Sequence, residues 1–216
     1  MILNIYKPTG MTSFAVVKKI REITSEKVGH GSTPDLIAEG VLVLGTSEDT
    51  KQLTTITNDD KSYVATIQLG ATTDTLDIES KITKRKEIPS LNENIIENVL
   101  KSFLGESAQT PPMYSAKKIN GKRLYEIARK NISVKRTPTN IIIKNIELLE
   151  FKGSIIRFSV TCTKSTYIRV LGNDIAEKLG IVGYILRLIR TRVGEHRLQD
   201  SKTIENFRVS WKSFEY

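Results

Sequence analysis

The sequence predicts an α+β (mixed α/β) fold: a largely antiparallel mixed central sheet with flanking helices and a basic hairpin-and-helix insertion. Three observations carry this. Residues 63–69 alternate, with Tyr63, Ala65, Ile67 and Leu69 on one face and Val64, Thr66 and Gln68 on the other, the period-2 pattern of a strand. Residues 139–150 and 155–163 read as two paired strands, the second with Ile156, Phe158, Val160 and Cys162 on one face. Helical patterns are interspersed with these strands without the regular βαβ alternation that builds an all-parallel sheet.

In chain order, residues 2–6 form a short strand ended by the turn composition Lys7-Pro-Thr-Gly10. Thr12 or Ser13 caps a helix whose apolar residues Val16, Val17, Ile20 and Ile23 share a face. A Gly-rich loop follows, Gly29-His-Gly-Ser-Thr-Pro-Asp-Leu-Ile-Ala-Glu-Gly-Val-Leu42. Residues 41–44 are a buried apolar run, and Ser47 with Glu48 and Asp49 opens a helix to about Thr57. The Thr- and Asp-rich residues 70–77 form a loop, and Ser90-x-x-Glu93 is a capping box before a helix carrying Ile95, Ile96, Val99 and Leu100. Two prolines keep residues 109–116 extended. Asn120-Gly121 marks a tight hairpin, because a type I′ turn needs two positive φ angles, and residues 124–130 are helical. After Lys164-Ser-Thr166, a helix carries Ile168, Leu171, Ile175, Ala176 and Leu179 on one face, with Arg169 about 100° from Ile168 at the flank of the apolar stripe. Residues 184–193 alternate weakly, and the tail to Tyr216, with Trp211 and Phe214, has no clear pattern.

Charge narrows the partners. There are 33 Lys and Arg against 24 Asp and Glu, and the excess is concentrated. Between Tyr114 and Arg136 eight basic residues face one acidic residue, Glu126. Such a patch attracts phosphate chains, which points to nucleic acid; on charge alone a solvated lysine-rich face is an equal reading. One cysteine and two histidines give no zinc set and no internal disulfide. No apolar run is long enough to span a membrane, and the start has no signal sequence. The expected compartment is the cytoplasm. Asp35 is the candidate reacting group, a carboxylate in a glycine-rich loop beside His30.

Several blocks together resemble the bacterial tRNA pseudouridine synthase B family: Lys7-Pro-Thr-Gly-Met-Thr-Ser13, the loop from Gly29 to Leu42, Lys61-Ser-Tyr-Val-Ala65, Leu69-Gly-Ala-Thr-Thr-Asp-Thr-Leu-Asp77, Gln109 to Arg129, and Lys164-Ser-Thr-Tyr-Ile-Arg169, with Leu188-Ile-Arg-Thr-Arg-Val-Gly194 as a weaker seventh. The resemblance implies the pseudouridine synthase fold and conversion of uridine 55 in the tRNA T-loop to pseudouridine. It implies that Asp35, Tyr63 and Arg169 are catalytic, with Arg169 keeping Asp35 charged. Asp35 then attacks ring C6 or sugar C1′, or abstracts a sugar proton, and Tyr63 lies against the uracil and acts in removing the C5 proton. His30 fills the space left by the flipped base, Leu188 lines the pocket, Lys7 meets RNA or orders the loop, and Tyr167 completes the substrate-binding set. Lys117, Lys118, Lys122, Arg123, Arg129 and Lys130 grip the phosphates of the T-arm. No metal or organic cofactor is implied, and the protein is expected to be a monomer with tRNA as its partner. The expected organisation is a catalytic domain over residues 1–194 and a short tail over 195–216, without the C-terminal RNA-binding (PUA) domain of bacterial relatives.

The chain departs from the family pattern at the site. Pro34 precedes the aspartate and Leu36 follows it, the reverse of the usual order, and Ser32 and Ser165 stand where glycine is usual. Serine is less free than glycine to take positive φ. These changes leave a catalytically weak or inactive tRNA-folding chaperone as the alternative, and a guide-RNA-dependent relative as a third reading.

Overall fold

The structure, a computed structural model, describes residues 1–212; Phe214 lies outside the described residues. The elements, in chain order, are β1 (Ile2–Lys7), α1 (Ser13–Thr24), β2 (Val28–His30), β3 (Ala38–Thr46), a 3₁₀ turn (Ser47–Lys51), α2 (Leu53–Ile56), β4 (Lys61–Leu69), β5 (Ala71–Thr73) and β6 (Ile82–Arg85). They continue with α3 (Glu93–Lys101), β7 (Gly105–Gln109), β8 (Lys118–Ile119), β9 (Lys122–Arg123), α4 (Leu124–Ala128), β10 (Thr139–Lys152) and β11 (Ile155–Cys162). The last are α5 (Ile168–Lys178), β12 (Gly183–Val193), β13 (His196–Arg197), a 3₁₀ turn (Leu198–Asp200) and α6 (Ile204–Lys212). The chain divides into two compact units, one of residues 1–64 and 188–216, the other of residues 65–187.

In the first unit β3 is the organising strand. β1 pairs antiparallel along one side of it, from Ile2 opposite Gly45 to Lys7 opposite Gly40. β2 pairs antiparallel with its end and β12 pairs parallel with its start, Leu188 opposite Ala38 and Arg190 opposite Gly40. β3 is buried on both faces, which is why it reads as an unbroken apolar run. Leu42 and Leu44 pack with Leu3, Ile5, Val16, Val17, Ile20, Val28, Ile204 and Phe207. Val41 and Val43 pack with Leu53 and Val193 on the other side. Each such side chain contributes about 1.5–3 kcal/mol by leaving water. Thr12 is the cap of α1, its hydroxyl accepting from Ala15 N at 3.1 Å.

In the second unit β4, β11, β10 and β7 are neighbours in that order. β10 is antiparallel to both β11 and β7, so the two strands expected to pair do so. Ile156, Phe158, Val160 and Cys162 are all buried. α5 buries Ile168, Leu171, Ile175 and Ala176. A Cβ at Gly172 would press on the end of the Ile185 side chain, so the helix runs close to β12 there. Asn120 and Gly121 both have positive φ, at 50° and 79°, as the β8–β9 hairpin requires.

Four local expectations are corrected. Residues 47–57 are a 3₁₀ turn followed by a single α turn, since threonines at 50, 54, 55 and 57 are poor helix formers. The loop after Gly70 contains β5, which pairs with β6 in a separate two-stranded sheet. The cap of α3 is Asn92, whose side chain accepts from Ile95 N at 2.9 Å, two residues beyond the Ser90 expected. The tail has a pattern after all: α6 buries Ile204 and Phe207 in the first unit's core, with Trp211 against Phe207 at 5.7 Å between ring centroids. Among the described residues no helix is long and apolar enough to cross a membrane.

Candidate active site

The Asp35 loop is built from backbone contacts to the first turn of the chain. Lys7 is only 1% exposed, and its ammonium donates to the carbonyls of Pro8 and Leu36, each at 3.2 Å, and to that of Ala38. Thr9 Oγ1 donates to Ile37 O at 2.9 Å and Gly10 N to Leu36 O at 3.0 Å. Asp35 sits at the head of this arc, its own carbonyl accepting from Ala38 N at 3.0 Å in a turn. Of the two roles open to Lys7, meeting RNA or ordering the loop, the structure shows it ordering the loop.

The upstream half of the loop is tied differently. The Thr57 hydroxyl donates to Gly31 O, and His30 Nδ1 donates to Ser32 O at 3.0 Å, which fixes the imidazole tautomer. A hollow of about 300 Å³ beside it is lined by His30, Gly29, Gly31, Leu53 and Thr57. Burial pushes the His30 pKa below its ordinary 6.5, and Arg190 adds to this, while the bond to Ser32 opposes it. A histidine that folds neutral but is protonated when unfolded costs stability once pH falls below 6.5, because the unfolded state then binds more protons. We therefore expect the melting temperature to fall from pH 7.5 to pH 5.5 by more in the native protein than in His30→Gln. Equal falls in the two proteins would contradict the burial seen here.

Leu188 is 2% exposed on β12. Two residues on, and so on the same face of the strand, Arg190 is likewise 2% exposed. Its Nε donates to Val41 O and its Nη1 to Ser32 Oγ, both at 2.8 Å. The charges acting on this guanidinium include the Tyr63 hydroxyl and, more weakly, the Asp35 carboxylate. Within the first unit the structure thus brings together Asp35, His30, Tyr63, Leu188 and Lys7, with Arg190 among them. Ser32 is not among the residues with positive φ; the serine there supplies an acceptor for Arg190. Ser165 is different, with φ of 65°, a conformation in which a serine is strained by about 1–2 kcal/mol relative to glycine.

Arg169 belongs to the second unit. It is buried at 3% exposure, and its Nε lies 3.5 Å from the carboxylate of Asp77. Nη1 donates to Thr75 O at 2.6 Å and Nη2 to Tyr114 O at 2.8 Å. It is thus fully inside the stripe it was expected to flank, and its buried carboxylate partner is Asp77. Tyr167, at the start of α5, is held by Gln109, which accepts from Tyr167 N at 2.7 Å and donates to Tyr167 O at 3.1 Å. In the basic insertion Lys118, Lys122, Arg123, Arg129 and Lys130 are exposed and Lys117 is half-buried. Lys117 bonds Thr139, and the Tyr125 ring has guanidinium groups of Arg123 and Arg129 at 5.8 and 5.4 Å.

Arg190, Asp77 and Ser32 are the residues the sequence reading left without these roles. A signal existed for Arg190, since strand alternation from Leu188 puts it on the same face. None existed for Asp77, one of several polar residues in an apparent loop. Among the described residues no group of three or more His, Cys, Asp or Glu side chains could hold a metal ion.

A mixed sheet carrying a loop aspartate, with a tyrosine and a buried guanidinium in the same unit, is the arrangement of a pseudouridine synthase. Residues 18–168 match the TruB family pseudouridylate synthase N-terminal domain, and the chain belongs to that family. It is 41% identical over 213 residues to tRNA pseudouridine synthase B of Phocaeicola vulgatus, covering 95% of this chain and 91% of that protein. It is 43% identical over 206 residues to tRNA pseudouridine synthase B of Clostridium tetani, covering 95% and 71%. Among solved structures, a Cbf5–Nop10–Gar1 complex is similar over the whole chain with a TM-score of 0.78 at 29% identity. An H/ACA RNP bound to a substrate RNA containing 2′-deoxyuridine gives 0.74 at 25%. The chain spans about half the length of these two structures' matching chains, 56% and 55%.

Proposed function

We propose that this protein isomerises uridine 55 in the T-loop of tRNA to pseudouridine. The observation that carries the reading is the juxtaposition, in one compact unit of a chain of this family, of Asp35, Tyr63, His30 and Leu188 around a rigidly anchored loop. The target uridine is stacked in folded RNA, so it is first turned out of the stack, with His30 filling the space it leaves. Asp35 acts as nucleophile or base while the N1–C1′ bond breaks. The uracil turns to present C5, the C5–C1′ bond forms, and Tyr63 accepts the C5 proton as the C5=C6 double bond is restored. Arg169 is assigned its catalytic part on its motif, with Asp77, Thr75 and Tyr114 fixing its orientation. The protein acts as a monomer, without metal or organic cofactor.

Incubation with an unmodified tRNA transcript, followed by chemical mapping of pseudouridine, tests substrate and competence together. Product at position 55 is expected; none under any condition favours the binding-only alternative. The basic insertion supplies the grip on the T-arm without reading bases. Six phosphate contacts from Lys117, Lys118, Lys122, Arg123, Arg129 and Lys130 would make log K fall against log salt with a slope of about −4 to −5. A slope near zero in filter binding would remove this part of the proposal.

A further inference from the structure

Arg190 is the largest of the almost fully buried side chains, and the steps above do not use it. Two of its three nitrogens are satisfied, by Val41 O and Ser32 Oγ. The third, Nη2, is buried and among the described residues has no hydrogen-bond acceptor. An unmet donor on a buried cation is costly, and native structures keep few of them. Burial pushes this guanidinium below the usual arginine range, and the groups opposing that are first the Tyr63 hydroxyl and then the Asp35 carboxylate.

We propose that Arg190 is the positioning residue for Tyr63, its Nη2 donor held in reserve for the tyrosine oxygen that accepts the C5 proton. This rests on the reading of Tyr63 given above. A neutral phenol is a poor base; a phenolate takes a proton readily, and a fixed cation beside it favours the ionised form. Asp35 acts in the opposite sense on the phenol, so Arg190 must outweigh it. His30, the other titratable group acting on Arg190, is kept neutral by burial and leaves the guanidinium unopposed. As the C5 proton moves to the Tyr63 oxygen, the C–H electron pair returns to the ring and the phenol is restored. The backbone fixes the arrangement, because Arg190 pairs with Gly40 at the close approach of β12 and β3. Ser32, at the position where the family usually has glycine, adds the acceptor that aims Nη1.

The test uses the full-length protein and two readouts. Phenolate absorbance across pH, taken as the difference between each protein and its Tyr63→Phe counterpart, isolates Tyr63 from the other tyrosines. Pseudouridine formation in a single turnover on unmodified tRNA gives the rate. Arg190→Gln is expected to move Tyr63 ionisation upward by at least about one pH unit and to slow the rate by about a hundredfold. Arg190→Lys is expected to restore part of both. If Arg190→Gln does not fold, Ser32→Ala removes only the Nη1 acceptor and is expected to shift ionisation the same way and slow the rate about fivefold. Unchanged Tyr63 ionisation in the folded variant overturns the proposal. A shifted ionisation in a protein that makes no pseudouridine supports the positioning of Tyr63 and overturns the enzymatic reading instead.

Discussion

Asp35→Asn is expected to abolish pseudouridine formation, lowering the single-turnover rate by roughly 10⁴-fold or more, while tRNA affinity stays within about twofold. The amide is nearly the same size as the carboxylate, and the turn that holds residue 35 is made by its backbone, with its carbonyl accepting from Ala38 N. The loop is otherwise anchored through Lys7, Thr9 and Gly10 to the carbonyls of Leu36, Ile37 and Ala38. The substitution therefore removes a nucleophile or base and leaves its scaffold. Binding is retained because the charges that grip RNA phosphates lie in the insertion of residues 117–130. A variant within about tenfold of the native rate would remove Asp35 from the chemistry. A native protein that already forms no product would instead point to the chaperone alternative.

The parts of this site legible in the sequence were those set by local pattern. The Asp35 loop stood out because glycines, a histidine and a lone carboxylate occur together, and the strand beginning near Tyr63 because its apolar residues alternate. What was not legible depends on distance along the chain. Lys7 looks like a surface cation in a turn; its acceptors at Leu36 and Ala38 lie 29 and 31 residues away. The partners of Arg169 at Thr75 and Tyr114 are 94 and 55 residues away, so a helical wheel could place the arginine near the apolar stripe without naming Asp77. Helix α6 was missed for another reason. It is short, and its buried residues Ile204 and Phe207 are too few to make a period. Asn92 displaced Ser90 as a cap because both side chains can accept from the helix backbone, and sequence cannot choose between neighbours two apart.

Gly40→Ala is expected to be the most disruptive single-methyl addition to the first unit, costing about 3 kcal/mol or more. Two independent penalties fall on the same residue. Its φ of 103° is one that side-chain-bearing residues rarely adopt. A Cβ there would sit well inside contact distance of the Arg190 carbonyl oxygen, with the Arg190 carbonyl carbon at 3.1 Å and nitrogen at 3.2 Å. These are backbone atoms of the parallel β3–β12 pairing, so no side-chain rotation relieves the clash. Relief requires β12 to move away from β3, carrying Leu188 and Arg190 with it and loosening the bonds from Arg190 to Val41 and Ser32. Urea unfolding should show the lower midpoint, and the fraction that still folds should form pseudouridine at least about a hundredfold more slowly, in line with a displacement near 1 Å at the reacting groups. A Gly40→Ala protein with native stability and native rate would mean that β3 and β12 are not held at this spacing, and the account of how the fold fixes the site would fail.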